Sequence, residues 1–307
     1  DNLSRNISFF IRFFFWITVF LAFIDIGLSE DKIFAKYESI VVLLVLIVCV
    51  NVTRDYLNKD LFLGRNDFSI SNYGYNLTRL LPLIFLCFYG FKRSLLLIVS
   101  FIIVFISFKR GAILSFSLTL LIALLYYLKE AESFSTKRNI LLIISLITIL
   151  FFFLYNKNAE IFEARFRDFN SIDTAGSGRA KMFLLIIDHM ILNPIHIFIG
   201  NGFLATMDFF GQEIGHSIIA HSDIFEIFFD FGLVGLAIYV MIVVSIYRTF
   251  TYFIGERLDY SVTALSVLSI VLLSSFFTNL IFNPEAYYLA IPWGFLTGVQ
   301  ARSQIIT

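Results

Sequence analysis

The sequence predicts an all-α, polytopic membrane protein, and three observations point to it. Only 15% of the residues are charged while 59% are hydrophobic, where soluble domains run near a quarter charged. The mean hydropathy is +0.85. The apolar residues also fall into runs close to the ~20 that a helix needs to cross a bilayer, separated by short polar breaks such as Phe91-Lys92-Arg93. A formal net charge of zero excludes the broad basic footprint of a nucleic-acid-binding protein. Cys49 and Cys87 lie inside apolar runs and read as small buried hydrophobes. No Cys/His framework of metal-ligand spacing occurs, so neither a metal nor another cofactor is expected.

Taken in order, the candidate spans are about 7–28, 38–53, 77–91, 94–107, 112–128, 139–155, 231–254, 261–282 and 286–300. This divides the chain into residues 1–155 with about six spans, an extramembrane loop over 156–230, and residues 231–307 with about three spans. The 156–230 interval concentrates Lys157, Arg165, Arg167, Arg179 and Lys181, and His189, His196 and His216. Within it Met182, Phe183, Ile186, Ile187, Met190 and Ile191 recur at helical spacing. The spacing predicts a partly helical loop lying against the bilayer, and a loop of this length is more often functional than a mere connector. The chain opens at Asp1, which points to a fragment or a trimmed chain; an extracytoplasmic N-terminus would fit one that lacks an odd number of upstream spans.

Sidedness follows from Lys and Arg in the short loops, since long loops do not orient a membrane protein. Strict alternation puts Lys32, Lys36, Lys92, Arg93, Lys129, Lys137, Arg138, Arg248, Arg257 and Arg302 on one side. These outnumber Arg54, Lys59, Arg65, Arg79, Lys109 and Arg110 on the other, once the long loop and the first segment are set aside. The first side is therefore expected to be cytoplasmic, and the long loop extracytoplasmic.

Three motifs hold polar groups next to apolar spans, where such groups usually serve a function. Ser107-Phe108-Lys109-Arg110-Gly111 forms a tight break between two spans, and its Gly permits close approach or an unusual backbone angle. Lys109 and Arg110 there fit either snorkelling flank residues or an anion site. Gly176-Ser177-Gly178-Arg179 precedes the periodic run. Ser177 reads as its N-cap, and free helix amides with an arginine fork suit phosphate oxygens; an ordinary flexible loop with a cap reads equally well. His221-Ser222-Asp223 runs towards Gly232-Leu233-Val234-Gly235, glycines that would let a helix pack closely. Neutral His221 can accept a proton from a hydroxyl, or it is a solvated surface histidine. Asp223 with Glu226 has the spacing of a capping box, and Glu226 reads as a cap or a His-orienting group. Arg165 and Arg167 fit headgroup anchors and further phosphate contacts alike.

The order of these residues resembles a known family. Asn76 before a span, then Ser-Phe-Lys-Arg-Gly, Ser-Gly-Arg, Gly200-Asn201-Gly202-Phe203, and His-Ser followed by Gly-Leu-Val-Gly are similar, over roughly residues 70–245, to the O-antigen ligase and polymerase superfamily of bacterial envelopes. The resemblance implies a multi-span helical enzyme related to the GT-C glycosyltransferases, acting on undecaprenyl-diphosphate-linked sugars at the outer face of the cytoplasmic (inner) membrane. It implies that Arg110 and Arg179 meet the donor diphosphate and that His221 activates the acceptor. Lys109, Arg165 and Arg167 would be further donor contacts, with Asn76 and Glu226 in support. After the histidine the family more often has Asn; here the residue is Ser222.

The expected function is therefore metal-independent polymerisation of a surface polysaccharide of O-antigen or capsule type. A ligase transferring glycan to lipid A-core is the alternative within the family. A transporter or flippase of lipid-linked sugars, and a non-catalytic scaffold, are readings of other classes. Expected partners are a polyprenyl-diphosphate-linked oligosaccharide, membrane lipids and other polysaccharide-assembly proteins, with no nucleic acid.

Overall fold

A computed structural model of the chain describes residues 2–29, 33–58, 72–160, 163, 178–215, 217–278, 280 and 286–306, and among them every regular element is helical. In chain order they are α1 (Asn2–Ser29), a 3-10 turn (Ile33–Tyr37), α2 (Glu38–Leu57), α3 (Gly74–Cys87), α4 (Gly90–Ile106), α5 (Arg110–Glu130) and α6 (Phe134–Lys157). There follow α7 (Arg179–Leu192), α8 (Pro194–Ile199), α9 (Ala205–Glu213), α10 (Asp223–Phe253), α11 (Leu258–Phe277) and α12 (Tyr287–Ile306). α2, α5, α6, α10 and α11 are each long and apolar enough to cross a bilayer, and α1 adds a shorter apolar stretch, Phe14–Ser29. The protein is thus an all-α, multi-pass membrane protein. α6 shows the lipid-facing extreme: only its Ile140 is buried.

The chain divides into two compact units, Asp1–Phe13 with Asn158–Ser245 and Leu272–Asn283, and Phe14–Lys157 with Ile246–Val271 and Pro284–Thr307. The second unit is built around α3, buried at every position from Gly74 to Cys87. It packs against α2, α4, α5 and α12. Two polar side chains of α3 taken into this interior find hydrogen-bond partners, as burial favours. Thr78 Oγ1 donates to the carbonyls of Gly74 (3.3 Å) and Ala112 (3.4 Å), and Arg79 donates to Asn76 Oδ1 at 3.4 Å. α1 and α12 cross closely enough that a Cβ on Gly27 would lie 2.3 Å from the Phe295 carbonyl oxygen, and one on Gly298 2.2 Å from that of Ile24. Beside this crossing the Phe20 and Trp293 rings meet at 4.3 Å.

A buried cation is also satisfied in this unit. Arg93 donates to the Phe88 carbonyl (2.7 Å), pairs with Asp259 (3.0 Å) and lies 5.2 Å from the rings of both Tyr89 and Tyr127. The Tyr127 hydroxyl donates to the same carboxylate at 3.0 Å. A buried ion pair persists only where hydrogen bonds offset its lost hydration, and here the planar guanidinium makes several at once.

The first unit holds α7, α8, α9 and the first part of α10. Its core is Met182, Ile186, Met190, Phe210, Ala220 and Phe229. Met182, Ile186 and Met190 recur at four-residue spacing, so one face of α7 is buried while Ile187, Ile191 and Leu192 on the others stay exposed. Gly178, at φ 81°, caps α7; Ser177, expected in that role, lies outside the described residues. Pro194 opens α8 at a position where its missing N–H costs no bond, and Gly200, at φ 74°, ends it.

Candidate functional site

His221 is exposed on left-handed backbone, at φ 56°, a conformation uncommon for a non-glycine residue. Its neighbours are fixed. Ala220 and Ser222 are both fully buried. The Ala220 N–H donates to Glu226 Oε2 at 2.7 Å, and the Ser222 hydroxyl donates to the Ser275 carbonyl at 2.8 Å. One residue on, the buried Asp223 carboxylate accepts the Leu280 N–H (2.9 Å) and the Ser275 hydroxyl (3.2 Å) through Oδ2. Ser275 in turn accepts from the Tyr239 hydroxyl at 2.8 Å. A serine hydroxyl has one proton to give and lone pairs to receive, so it can relay between the phenol and the carboxylate. The capping box expected of Asp223 and Glu226 therefore takes another form. Asp223 closes onto the end of α11 and Leu280, and Glu226 reaches back to the segment before His221.

α10 breaks at Gly232, where φ 61° and ψ −152° are non-helical. Carbonyls next to a break lose their helical partners, and here a turn from elsewhere replaces them. The N–H of Asn201 donates to the Phe229 carbonyl and that of Gly202 to the Asp230 carbonyl, each at 2.9 Å. The Asn201 side chain adds a second bond to Phe229 (3.1 Å) and lies 3.2 Å from His189 Nε2. The approach needs glycine on both sides. A Cβ on Gly200 would lie 2.3 Å from the Asp230 backbone, and one on Gly232 2.5 Å from the Phe198 backbone. Asp230, fully buried, accepts the N–H groups of Leu204 (2.7 Å) and Thr206 (3.1 Å) and the Thr206 hydroxyl (2.7 Å). It thereby caps α9 from a distance.

Arg179 is half-buried at the start of α7. Four residues on, Phe183 stacks on Phe225 at 4.1 Å with an interplanar angle of 6°. Phe225 itself lies four residues after His221, so one ring pair joins the two segments that bear Arg179 and His221.

The second unit holds the other motif. Phe108 is buried at φ 51° and faces the Tyr56 ring at 6.2 Å. The unusual backbone angle thus falls on Phe108, while Gly111 lies within α5. The Ser107 hydroxyl donates to the Val104 carbonyl (2.6 Å) and accepts the Lys109 N–H (3.3 Å). Gly74 packs against this turn, where a Cβ would lie 2.5 Å from Ser107 Oγ. Lys109 and Arg110 are half-buried where the turn enters α5. Asn76, one turn into α3, is buried and bonded to Arg79.

Arg179, His221 and Glu226 belong to the first unit; Asn76, Lys109 and Arg110 belong to the second. Arg165 and Arg167 lie outside the described residues. Sequence reasoning missed Ser275, Tyr239 and Asp230, and gave Asn201 no role beyond its place in the Gly200-Asn201-Gly202-Phe203 motif. The Gly200-Asn201-Gly202 spacing was a usable signal for Asn201, whereas an isolated serine or tyrosine in an apolar run offers none.

Residues 95–240 match the sequence profile of the O-antigen ligase family. No curated protein sequence matches the chain. The match runs from α4 into α10, including both the Arg110 turn and His221 and leaving out Asn76, Ser275 and Leu280. The matched family supports a glycosyltransferase role of ligase or polymerase type, on lipid-linked polysaccharide substrates in general.

Proposed function

We propose that this chain, whose residues 95–240 match the O-antigen ligase family and support a place in the ligase and polymerase superfamily, polymerises a surface polysaccharide. The donor is a glycan on undecaprenyl diphosphate, and the acceptor is a sugar hydroxyl of a second lipid-linked oligosaccharide. The hydroxyl oxygen attacks the anomeric carbon of the donor, the bond from that carbon to the diphosphate oxygen breaks, and His221 takes the hydroxyl proton. Arg110 and Arg179, with Lys109, Arg165 and Arg167, hold the diphosphate as its negative charge develops. Preorganised cations in a water-poor site stabilise such charge far better than water does. Asn76 and Glu226 serve in support.

The observation that carries this reading is the exposed His221 on left-handed backbone between two buried, hydrogen-bonded neighbours. Strain of this kind gathers at functional sites. The break at Gly232 supports a place for His221 outside the hydrocarbon, because residues 233–253 alone form ~31 Å of helix at 1.5 Å per residue, enough for a bilayer core. The short-loop cation count supports an extracytoplasmic site on the inner membrane.

Two experiments test the reading. Cys introduced at exposed Gln212, in a Cys-free background, should react with an impermeant thiol reagent in intact spheroplasts; labelling only after rupture overturns the sidedness. Membranes given labelled lipid-linked oligosaccharide should build a ladder of longer lipid-linked chains. Label moving only to lipid A-core makes the protein a ligase instead.

A further inference from the structure

Four buried groups on three residues outside the proposed chemistry converge on the segment that presents His221. They are the Asp223 carboxylate, the Ser275 hydroxyl and carbonyl, and the Tyr239 hydroxyl. We propose that Asp223 and Ser275 are positioning residues for the transfer reaction, a clamp that holds His221 in its left-handed conformation by tying the segment to the end of α11. The proposal rests on His221 being the base.

Three features support a positional role over simple packing. The clamp grips the residues immediately after the strained one, through the Ser222 hydroxyl at 2.8 Å and the Asp223 carboxylate. Ser222, Asp223 and Ser275 are completely buried, and Leu280 and Tyr239 are 3% and 7% exposed, so water does not compete for the bonds. It is also doubly anchored: Ser275 uses its carbonyl for Ser222 and its hydroxyl for Asp223, so neither bond can relax without disturbing the other. Ser275 and Leu280 lie outside the family-matched residues 95–240, so the working site extends beyond that stretch.

The test is a cycle of variants. Turnover and donor KM are measured for the parent, Ser275→Ala, His221→Ala and the double variant, in membranes with equal amounts of folded protein. Misplacing a reacting group by about 1 Å costs up to ~100-fold. Ser275→Ala should lower kcat by about tenfold to a hundredfold at unchanged donor KM, and should add no further loss once His221 is Ala, because coupled residues are non-additive. Equal loss in both backgrounds makes the network purely structural and overturns the clamp, as does parental turnover in Ser275→Ala. Should Ser275→Ala fail to accumulate, Ser222→Ala removes a single hydroxyl and gives the same readout; failure of both to fold assigns the network to folding and ends the proposal. Parental turnover in His221→Ala alone refutes the base reading, and is distinguishable from every outcome that concerns the clamp.

Discussion

Among the described residues three non-glycine residues lie on left-handed backbone, Phe108, Leu204 and His221, and two of them, Phe108 and His221, sit at helix junctions in different units and use it to opposite ends. At the junction of α4 and α5 the strained residue is Phe108, buried against Tyr56, and the half-buried residues that follow are Lys109 and Arg110. At the start of α10 the strained residue is His221 itself, exposed, while its neighbours are buried. The first junction uses strain to turn the chain and anchors the turn by an aromatic side chain. The second uses strain to push out an imidazole and anchors it by hydrogen bonds on either side. The supports differ as well: Gly74 meets a serine side chain, whereas Gly200 and Gly232 meet backbone.

The largest expected effect breaks the comparison at its functional end. His221→Ala should leave binding of the lipid-diphosphate donor intact and lower chain extension by about 10²–10⁴, the usual loss with a general base; equal loss of donor binding would move His221 into the phosphate-contacting set. Next come the glycines. Gly200→Ala should destabilise the protein by about 3 kcal/mol or more, because a strained φ adds to a backbone clash. Gly74→Ala, in a helix and against a hydroxyl, should cost about 1–2 kcal/mol; equal losses in thermal unfolding in detergent would erase the distinction. Arg110→Lys keeps the charge but loses the planar fork, and turnover should fall by about tenfold, the scale of one charged hydrogen bond. A full rate in that variant would show that a point charge suffices. The smallest effect is that of Thr206→Ala, which removes one of three bonds to Asp230 and should cost about 1 kcal/mol with chain extension per folded molecule unchanged.

Much of this was legible beforehand, for stated reasons. Apolar runs announce membrane helices because the bilayer sets their length. α7 could be read from Met182, Ile186 and Met190 because an amphipathic helix repeats every 3.6 residues. His221 and Arg110 stood out because polar groups beside spans are costly. The clamp was not legible: Ser222, Asp223 and Tyr239 find Ser275 and Leu280 between 36 and 57 positions away, and serines within apolar helices carry no local signature. Nor was Asp230, which ends an apolar run and looks like a loop residue, yet is buried because α9 supplies its donors. The strain at Phe108 escaped notice because the neighbouring Gly111 seemed the natural place for it.

The mutual docking of Gly200 and Gly232 has a consequence for anyone who builds chimeras of this protein. Each glycine is shaped to the other segment's main chain, and the carbonyls freed at the break are matched to the amides of Asn201 and Gly202. The turn and the helix break therefore inherit as one module. A crossover inside residues 200–232 joins halves that were never fitted to each other, whereas one outside that interval transplants the lock whole and lets the flanking segments be shuffled without rebuilding it.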